Sequence, residues 1–214
     1  MTKNPAIVDP LNTAKLLIEA LPYIQQFAGK TIVVKHGGNA LAGATDDDAL
    51  GAFARDIALL HAVGIKPVVV HGGGPQISAL MERLGKTPTF HTGLRVTDAE
   101  TIEIVSMVLL GTVNPQIVSA VNFHGAPAVG VSGHDPKMFV VAPRDEALGF
   151  VGDITRVDAT IVKELLADSR VPIVATLGSH PSGQAYNINA DTAAGALAEA
   201  LGAEKLIYLT DIEG

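Results

Sequence analysis

The chain has 214 residues, 48% of them hydrophobic, with 22 glycines, no cysteine and a formal net charge of −7. That length and apolarity supply a real core, enough for one substantial α/β domain or two small ones. The missing cysteine excludes disulfides and thiolate metal sites, and the acidic balance argues against nucleic acid or an anionic membrane as the main partner.

The first residues lack the charged-then-apolar pattern of a signal segment. No apolar run approaches the roughly 18 residues of a membrane span. The expectation is a soluble, cytoplasmic protein. Residues 12–27 place Leu16, Leu17, Ala20, Leu21, Ile24 and Phe27 at helical spacing. Asn12 is the expected cap, Gly29 the expected end, and Pro22 the expected kink. This helix precedes the first strand and is an appendage to it: either a packing helix or an interface arm between subunits.

Residues 31–35 are a short β-branched run and read as a buried parallel strand. The run stops at Gly37 and Gly38, and a helix follows over 46–63. Its acidic first turn, Asp46-Asp47-Asp48, suits the helix dipole better than a metal. A second strand over 67–71 stops at Gly72-Gly73-Gly74, before a helix over 75–84 that begins at Pro75. Residues 86–97 read as a short hairpin or extended excursion. A helix from 98 to about 110 follows, with Thr97 as cap and Glu100 closing a capping box. A separate helix over 115–124 is capped by Asn114. Residues 126–131 form a core strand, and 137–142 with 149–157 an antiparallel hairpin. Helix 159–168 and strand 171–176 restore the alternation. A turn-rich loop over 178–183 precedes helix 190–201 and strand 205–209. Strands alternating with helices give the fold class: α/β, a three-layer sandwich with a mostly parallel central sheet, preceded by an N-terminal helix.

Two strand–glycine–helix junctions in one sheet are suited to anions, because free N–H groups and helix dipoles point at one place. Lys35, beside the first junction, is either a strand-end surface lysine or a cation for a transferring phosphoryl group. Neither a dinucleotide fingerprint nor a P-loop is present. His71 reads as a packed or hydrogen-bonded histidine rather than a general base. Arg95, in Gly93-Leu94-Arg95-Val96-Thr97, suits a bidentate grip on a carboxylate, with a surface salt bridge as the alternative. Asn187, Asn189 and Asp191 stand at alternate positions before a helix, more polar groups than one cap requires.

Together these motifs resemble the amino-acid kinase family, and within it the acetylglutamate kinases. The resemblance runs from about Lys30 to Gly214. Lys35-His36-Gly37-Gly38-Asn39-Ala40 and His71-Gly72-Gly73-Gly74 resemble the family's two glycine motifs. Gly93–Thr97 resembles its substrate-arginine segment and Asn187–Asp191 its Asn-x-Asn-x-Asp motif. Leu209-Thr210-Asp211-Ile212-Glu213-Gly214 resembles the start of its nucleotide-binding loop.

The resemblance implies phosphoryl transfer from ATP, with Mg²⁺ on the nucleotide, to the side-chain carboxylate of N-acetyl-L-glutamate in arginine biosynthesis. It implies Lys35 and Asp191 as catalytic, the carboxylate orienting the lysine. Gly73, Gly74, Arg95 and Asn187 then hold the acceptor, and Gly37, Gly38 and Asp211 the phosphates and ATP; no protein metal site is implied. Residues 1–29 are expected to be a helical extension, and 30–214 an acceptor-binding lobe with the start of a nucleotide lobe. A homo-oligomer is expected, a hexamer if built through the N-terminal helix. The family places the rest of its ATP lobe and a second catalytic lysine beyond position 214. The chain therefore reads as cut short and inactive alone. The alternatives are another kinase of this family or an inactive ligand-binding subunit.

Overall fold

The structure, a computed structural model, describes residues 9–37 and 46–209. Its centre is a five-stranded, all-parallel sheet. The strands are β1 (Thr31–His36), β2 (Lys66–His71), β5 (Ala128–Ser132), β8 (Val171–Ala175) and β11 (Lys205–Leu209). They lie in the order β11-β1-β2-β8-β5. Side chains alternate across a strand, so each strand feeds two cores. Ile32, Val34, Val69 and Ile173 face one core, shared with Phe53 and Ile57 of α2 (Asp46–Ala62) and Ile77 and Met81 of α3 (Gly74–Arg83). Val33, Val68, Val70 and Val174 face the other. There they meet Val162 of α6 (Thr160–Ala167) and Leu197 of α7 (Ala190–Leu201). Both faces are thus covered, as a parallel sheet requires.

A second sheet, of four strands, lies outside this alternation. Its β6 (Phe139–Pro143) and β7 (Gly152–Val157) form the expected antiparallel hairpin. The expected turn-rich loop over 178–183 is present from His180 as the turn of another hairpin, whose strands β9 (Leu177–Ser179) and β10 (Ala185–Asn187) take in its first two residues, and the strand order is β10-β9-β6-β7. Strands of three residues, one of them with a central glycine, are too short to show alternation in a sequence. A third, two-stranded piece pairs β3 (Phe90–His91) with β4 (Leu94–Arg95).

The largest departure from expectation lies between residues 99 and 123. The two helices expected there are one continuous helix: α4 (Ala99–Val108), a π-helical turn (Leu109–Val113) and α5 (Asn114–Phe123). Asn114 has helical dihedrals and is no cap; its N–H bonds back five residues to the Leu109 carbonyl. Pro115 ought to break such a helix, because it lacks an N–H and clashes with the carbonyl four residues back. The wider π turn immediately before it accommodates that misfit. The fused helix also corrects the expectation of no apolar segment of spanning length. On length and composition alone it is long and apolar enough to cross a membrane. Here it is a core helix, with Ile104, Val105, Val108, Leu109, Val113, Ile117 and Val121 buried against the sheet.

Two caps differ from expectation as well. Helix α1 (Pro10–Phe27) starts at Asp9, whose carboxylate accepts from the Leu11 N–H at 3.2 Å, rather than at Asn12. Pro10 suits the first helical position, which moves the start forward. Helix α1 runs through Pro22 and buries no residue; Leu16, Leu17 and Ile18 are 61–68% exposed. At α4 the cap is Asp98, accepting from Thr101 N–H at 2.8 Å, while Thr97 is wholly buried and donates to the Arg95 carbonyl. Lys86 also reaches both Asp98 (2.7 Å) and Glu100 (2.8 Å). Hydrogen bonds from Lys86 and Thr101 hold the Asp98 carboxyl down at about 2.

Asp98→Ala should therefore lower stability by about 1 kcal/mol, the usual worth of a cap. The melting temperature should fall by roughly 2–4 °C for a chain of this size. A thermal melt that does not move would return the cap to Thr97.

Candidate active site

Ligands of open α/β sheets bind beyond the carboxyl ends of the strands. Here β1 ends in Lys35-His36-Gly37, β2 in His71-Gly72-Gly73-Gly74, and β8 in Ala175-Thr176. Beside the last two lies an open cavity of about 170 Å³. Gly73, Gly74, Phe90, Arg95, Thr176 and Asn187 are among the residues that line it. It is smaller than the roughly 300–1,000 Å³ of pockets for drug-sized molecules, and so suits a small metabolite.

Arg95 reaches the cavity from the β3–β4 hairpin and is 7% exposed. One terminal nitrogen donates to the Gly74 carbonyl (2.9 Å) and the Ser78 hydroxyl (2.8 Å), the other to Met81 Sδ (3.3 Å). The guanidinium carbon sits 4.8 Å from the centre of the Phe90 ring. Every one of these partners is neutral, and among the described residues no carboxylate pairs with Arg95. Burial lowers its pKa from the ordinary value, yet a guanidinium stays protonated. A fixed, partly desolvated positive charge in a cavity wall is chemically suited to an anion.

The second glycine turn leads into α3. As first residues of that helix, Gly74 and Gln76 have N–H groups with no acceptor inside the helix, and its dipole favours negative charge there. Gly73 is closely packed: a Cβ would lie 2.9 Å from Leu109 Cδ2 and 3.2 Å from Val113 Cγ2 of the π turn, so those side chains would have to shift to admit one. Below the turn His71 is fully buried. Its Nε2 faces Asn114 Nδ2 at 2.9 Å, and its Nδ1 faces the Gly72 carbonyl at 3.0 Å. The same Asn114 nitrogen donates to the Ile173 carbonyl at 2.8 Å, which assigns that atom as the amide NH₂. His71 Nε2 is therefore the acceptor and Nδ1 carries the proton. Burial holds His71 down at about 4, so it is neutral. His36, edge-on to Phe53 at 4.4 Å, is held at about 4 by burial and then by the neighbouring Lys35 charge.

Lys35 extends from the opposite face of β1, and its Nζ lies 2.8 Å from the Asp191 carboxylate. Gly37 is pressed close by: a Cβ there would lie 3.0 Å from the Leu209 carbonyl and 3.5 Å from Lys35 Nζ. The motif at α7 divides its work among three residues. Asn189 caps the helix, accepting from the N–H groups of Asp191 (2.9 Å) and Thr192 (3.0 Å). Asn187 is left to line the cavity, where its Nδ2 points at Thr97 Oγ1 from 3.5 Å. Asp191 is left to meet Lys35, and its carbonyl accepts from the Tyr208 hydroxyl at 3.3 Å.

The geometry thus brings Gly73, Gly74, Arg95 and Asn187 around one cavity, with Lys35, Asp191 and Gly37 grouped at the neighbouring strand end. Gly38 and Asp211 lie outside the described residues. Sequence reasoning did not find Ser78, Phe90 or Tyr208 as supports. It read Asn114 only as a cap, although a polar residue within an apolar helical pattern was signal enough to ask what it bonds.

Residues 30–214 match the amino acid kinase family. An acetylglutamate kinase of Saccharopolyspora erythraea is 50% identical, the match covering all of this chain and 73% of that protein. One from Jannaschia sp. is also 50% identical, over 96% of this chain and 71% of its own length. The solved N-acetylglutamate synthase of Neisseria gonorrhoeae, complexed with coenzyme A and N-acetylglutamate, aligns with a TM-score of 0.80 at 30% identity. That alignment covers 94% of this chain and 46% of the synthase. With these matches over most of its length, the chain belongs to the amino acid kinase family, among its acetylglutamate kinases.

Proposed function

We propose that the protein transfers the γ-phosphoryl group of ATP to the side-chain carboxylate of N-acetyl-L-glutamate, a step in arginine biosynthesis. The observation that carries this reading is Arg95, a buried cation with neutral partners in the wall of a cavity that also holds the Gly73-Gly74 turn. An acceptor with two carboxylates suits it: one pairs with the guanidinium, and the other is presented for reaction. Half-identical relatives named acetylglutamate kinase support the same substrate.

In this reading Arg95 grips the α-carboxylate, Asn187 hydrogen-bonds the acceptor, and the N–H groups at Gly73 and Gly74 face the reacting end. An oxygen of the side-chain carboxylate attacks the γ-phosphorus, the bond to the β–γ bridging oxygen breaks, and ADP leaves. Negative charge gathers on the equatorial oxygens, between two groups that are already anionic. Lys35 places a compact positive charge there, and Asp191 positions it through their 2.8 Å contact. By the motifs they belong to, Gly37 and Gly38 are assigned to the phosphates and Asp211 to the nucleotide. Bound to the nucleotide phosphates, its usual mode, Mg²⁺ would supply charge neutralisation beside Lys35. Among the described residues no three His, Asp or Glu side chains converge on one point.

Helix α1 is the second part of the proposal. Its apolar side chains Leu16, Leu17, Leu21 and Tyr23 are exposed, far more than a helix packed on its own domain leaves uncovered. We assign it as the arm of a homo-oligomer, with α1 of another copy as its partner.

Three measurements test these assignments in the full-length gene product, with acetylglutamyl phosphate trapped as its hydroxamate. Arg95→Ala should raise KM for N-acetyl-L-glutamate far more than KM for ATP, by on the order of 2–5 kcal/mol in binding terms. Equal effects on the two substrates would remove Arg95 from the acceptor site. Lys35→Ala should lower kcat roughly 10²–10³-fold with the fold intact by circular dichroism, as removal of one preorganised donor does. A folded variant within about threefold of wild type, far short of that expectation, would reduce Lys35 to a surface residue. Deleting residues 1–26 should lower the mass seen by light scattering and leave an active core; an unchanged mass would refute the arm.

A further inference from the structure

Two buried polar side chains under the glycine turn have no part in the chemistry just described. Asn114 stands at the end of the π turn, and its amide nitrogen is fixed by the Ile173 carbonyl on β8 (2.8 Å). Gly130 on β5 leaves room for the amide: any Cβ there would collide with Asn114 Oδ1. Asn114 is thus seated by two neighbouring strands, independently of β2. Its second N–H is spent on His71 Nε2 (2.9 Å). That contact forces the histidine proton onto Nδ1, where the Gly72 carbonyl accepts it (3.0 Å). The chain of bonds ends on the peptide group that joins Gly72 to Gly73. The orientation of one carbonyl sets the orientation of the N–H in the same planar peptide. The N–H of Gly73 is therefore fixed by a side chain two residues earlier and an asparagine 43 positions beyond that histidine.

We infer that His71 and Asn114 are positioning residues: Asn114 selects the Nδ1–H form of His71, and His71 holds the Gly72–Gly73 peptide with its N–H turned to the acceptor's reacting end. Glycine turns are mobile in the absence of such a hold, because a residue without Cβ has wide conformational freedom. The neutral ring is required, since a protonated His71 would oppose a donor at Asn114. The kinetic half of the test rests on the acceptor reading above; the structural half does not.

Two substitutions separate positioning from mere satisfaction of a buried donor. His71→Gln keeps an acceptor where Nε2 was, so Asn114 stays bonded, but it offers no donor to Gly72. His71→Asn keeps a donor where Nδ1 was and leaves Asn114 without its acceptor. In ¹⁵N-glycine-labelled, ligand-free protein, the Gly73 and Gly74 amide resonances should move strongly in His71→Gln and less in His71→Asn. In the assay, His71→Gln should raise KM for N-acetyl-L-glutamate roughly fivefold to tenfold, about the worth of one hydrogen bond, with KM for ATP within about twofold. A role in packing alone predicts the reverse order, with His71→Asn the more damaged because it strands a buried N–H. Unmoved glycine resonances in His71→Gln, or that reverse order, would overturn the inference. If the glutamine variant does not fold, the wild-type protein decides: its long-range ¹H–¹⁵N spectrum should show His71 as the Nδ1–H tautomer at pH 7, and an Nε2–H tautomer would overturn the inference. Wild-type protein that neither binds nor phosphorylates N-acetyl-L-glutamate would sink the substrate assignment, and the glycine resonances would still decide the positioning.

Discussion

The register of the central sheet decides which functional groups can meet. Parallel pairing sets Lys35 beside Val70, His36 beside His71, and His71 beside Ala175. Because side chains alternate, Lys35 shares a face with Val33 and emerges over α7, where Asp191 waits. His71 shares the other face with Val69 and emerges over α5, where Asn114 waits. A slip of one residue in β2 would send His71 to the α7 side and put a valine against Asn114. The apolar residues buried on both faces forbid that slip, since each is worth roughly 1.5–3 kcal/mol when fully buried. Packing in the core thus fixes the positions of groups at the strand ends.

The two cations of the site are held in opposite ways. Arg95 is gripped by a carbonyl, a hydroxyl, a thioether and an aromatic face, none of which cancels its charge. These contacts hold its orientation without a ligand, and among the described residues no carboxylate offsets its charge, so under the proposed function an acceptor carboxylate would meet an uncompensated partner. Lys35 already has a counterion in Asp191, whose side chain is 58% exposed. Water screens that pair, so it adds little to stability, but it aims a flexible four-carbon chain. A rigid fork without a counterion suits recognition of a bound carboxylate. A compact charge on a guided tether suits a group whose charge changes during reaction.

Elements were legible in the sequence to the extent that their signal was local. Strands β1 and β2 and helix α7 were visible because their β-branched runs, their glycines and the Asn-x-Asn-x-Asp cap are local features. Arg95 was visible as an arginine among apolar neighbours, and its burial agrees with that pattern. The β9–β10 hairpin was not visible, because its register comes from packing beside β6 rather than from any run of residues. Ser78, Phe90 and Tyr208 act only through partners 5–17 positions away, which no local pattern marks. The fused helix was misread because Pro115 is ordinarily a punctuation mark. Nothing in the nearby sequence announces that a wider turn will absorb it.

That misreading bears on the site, because the turn that accommodates Pro115 is also the turn that aims Asn114. A π turn takes up one residue more than an α turn, and so rotates the downstream half of the helix by about 100° relative to an uninterrupted one. The N–H of Asn114 reaches back to Leu109 rather than to Leu110, which is the signature of that extra residue. An unbroken α-helix would carry the Asn114 side chain round from the line between His71 and Ile173. Leu109 and Val113, the ends of the same turn, close over Gly73 so tightly that a side chain there would have to displace them. One irregularity in a core helix therefore shapes the glycine turn from above through packing, and reaches it from below through Asn114 and His71. A helix with a good α-former in place of Pro115 would have less reason to keep the irregularity. Its loss would be felt at Gly72 and Gly73, although neither residue belongs to the helix.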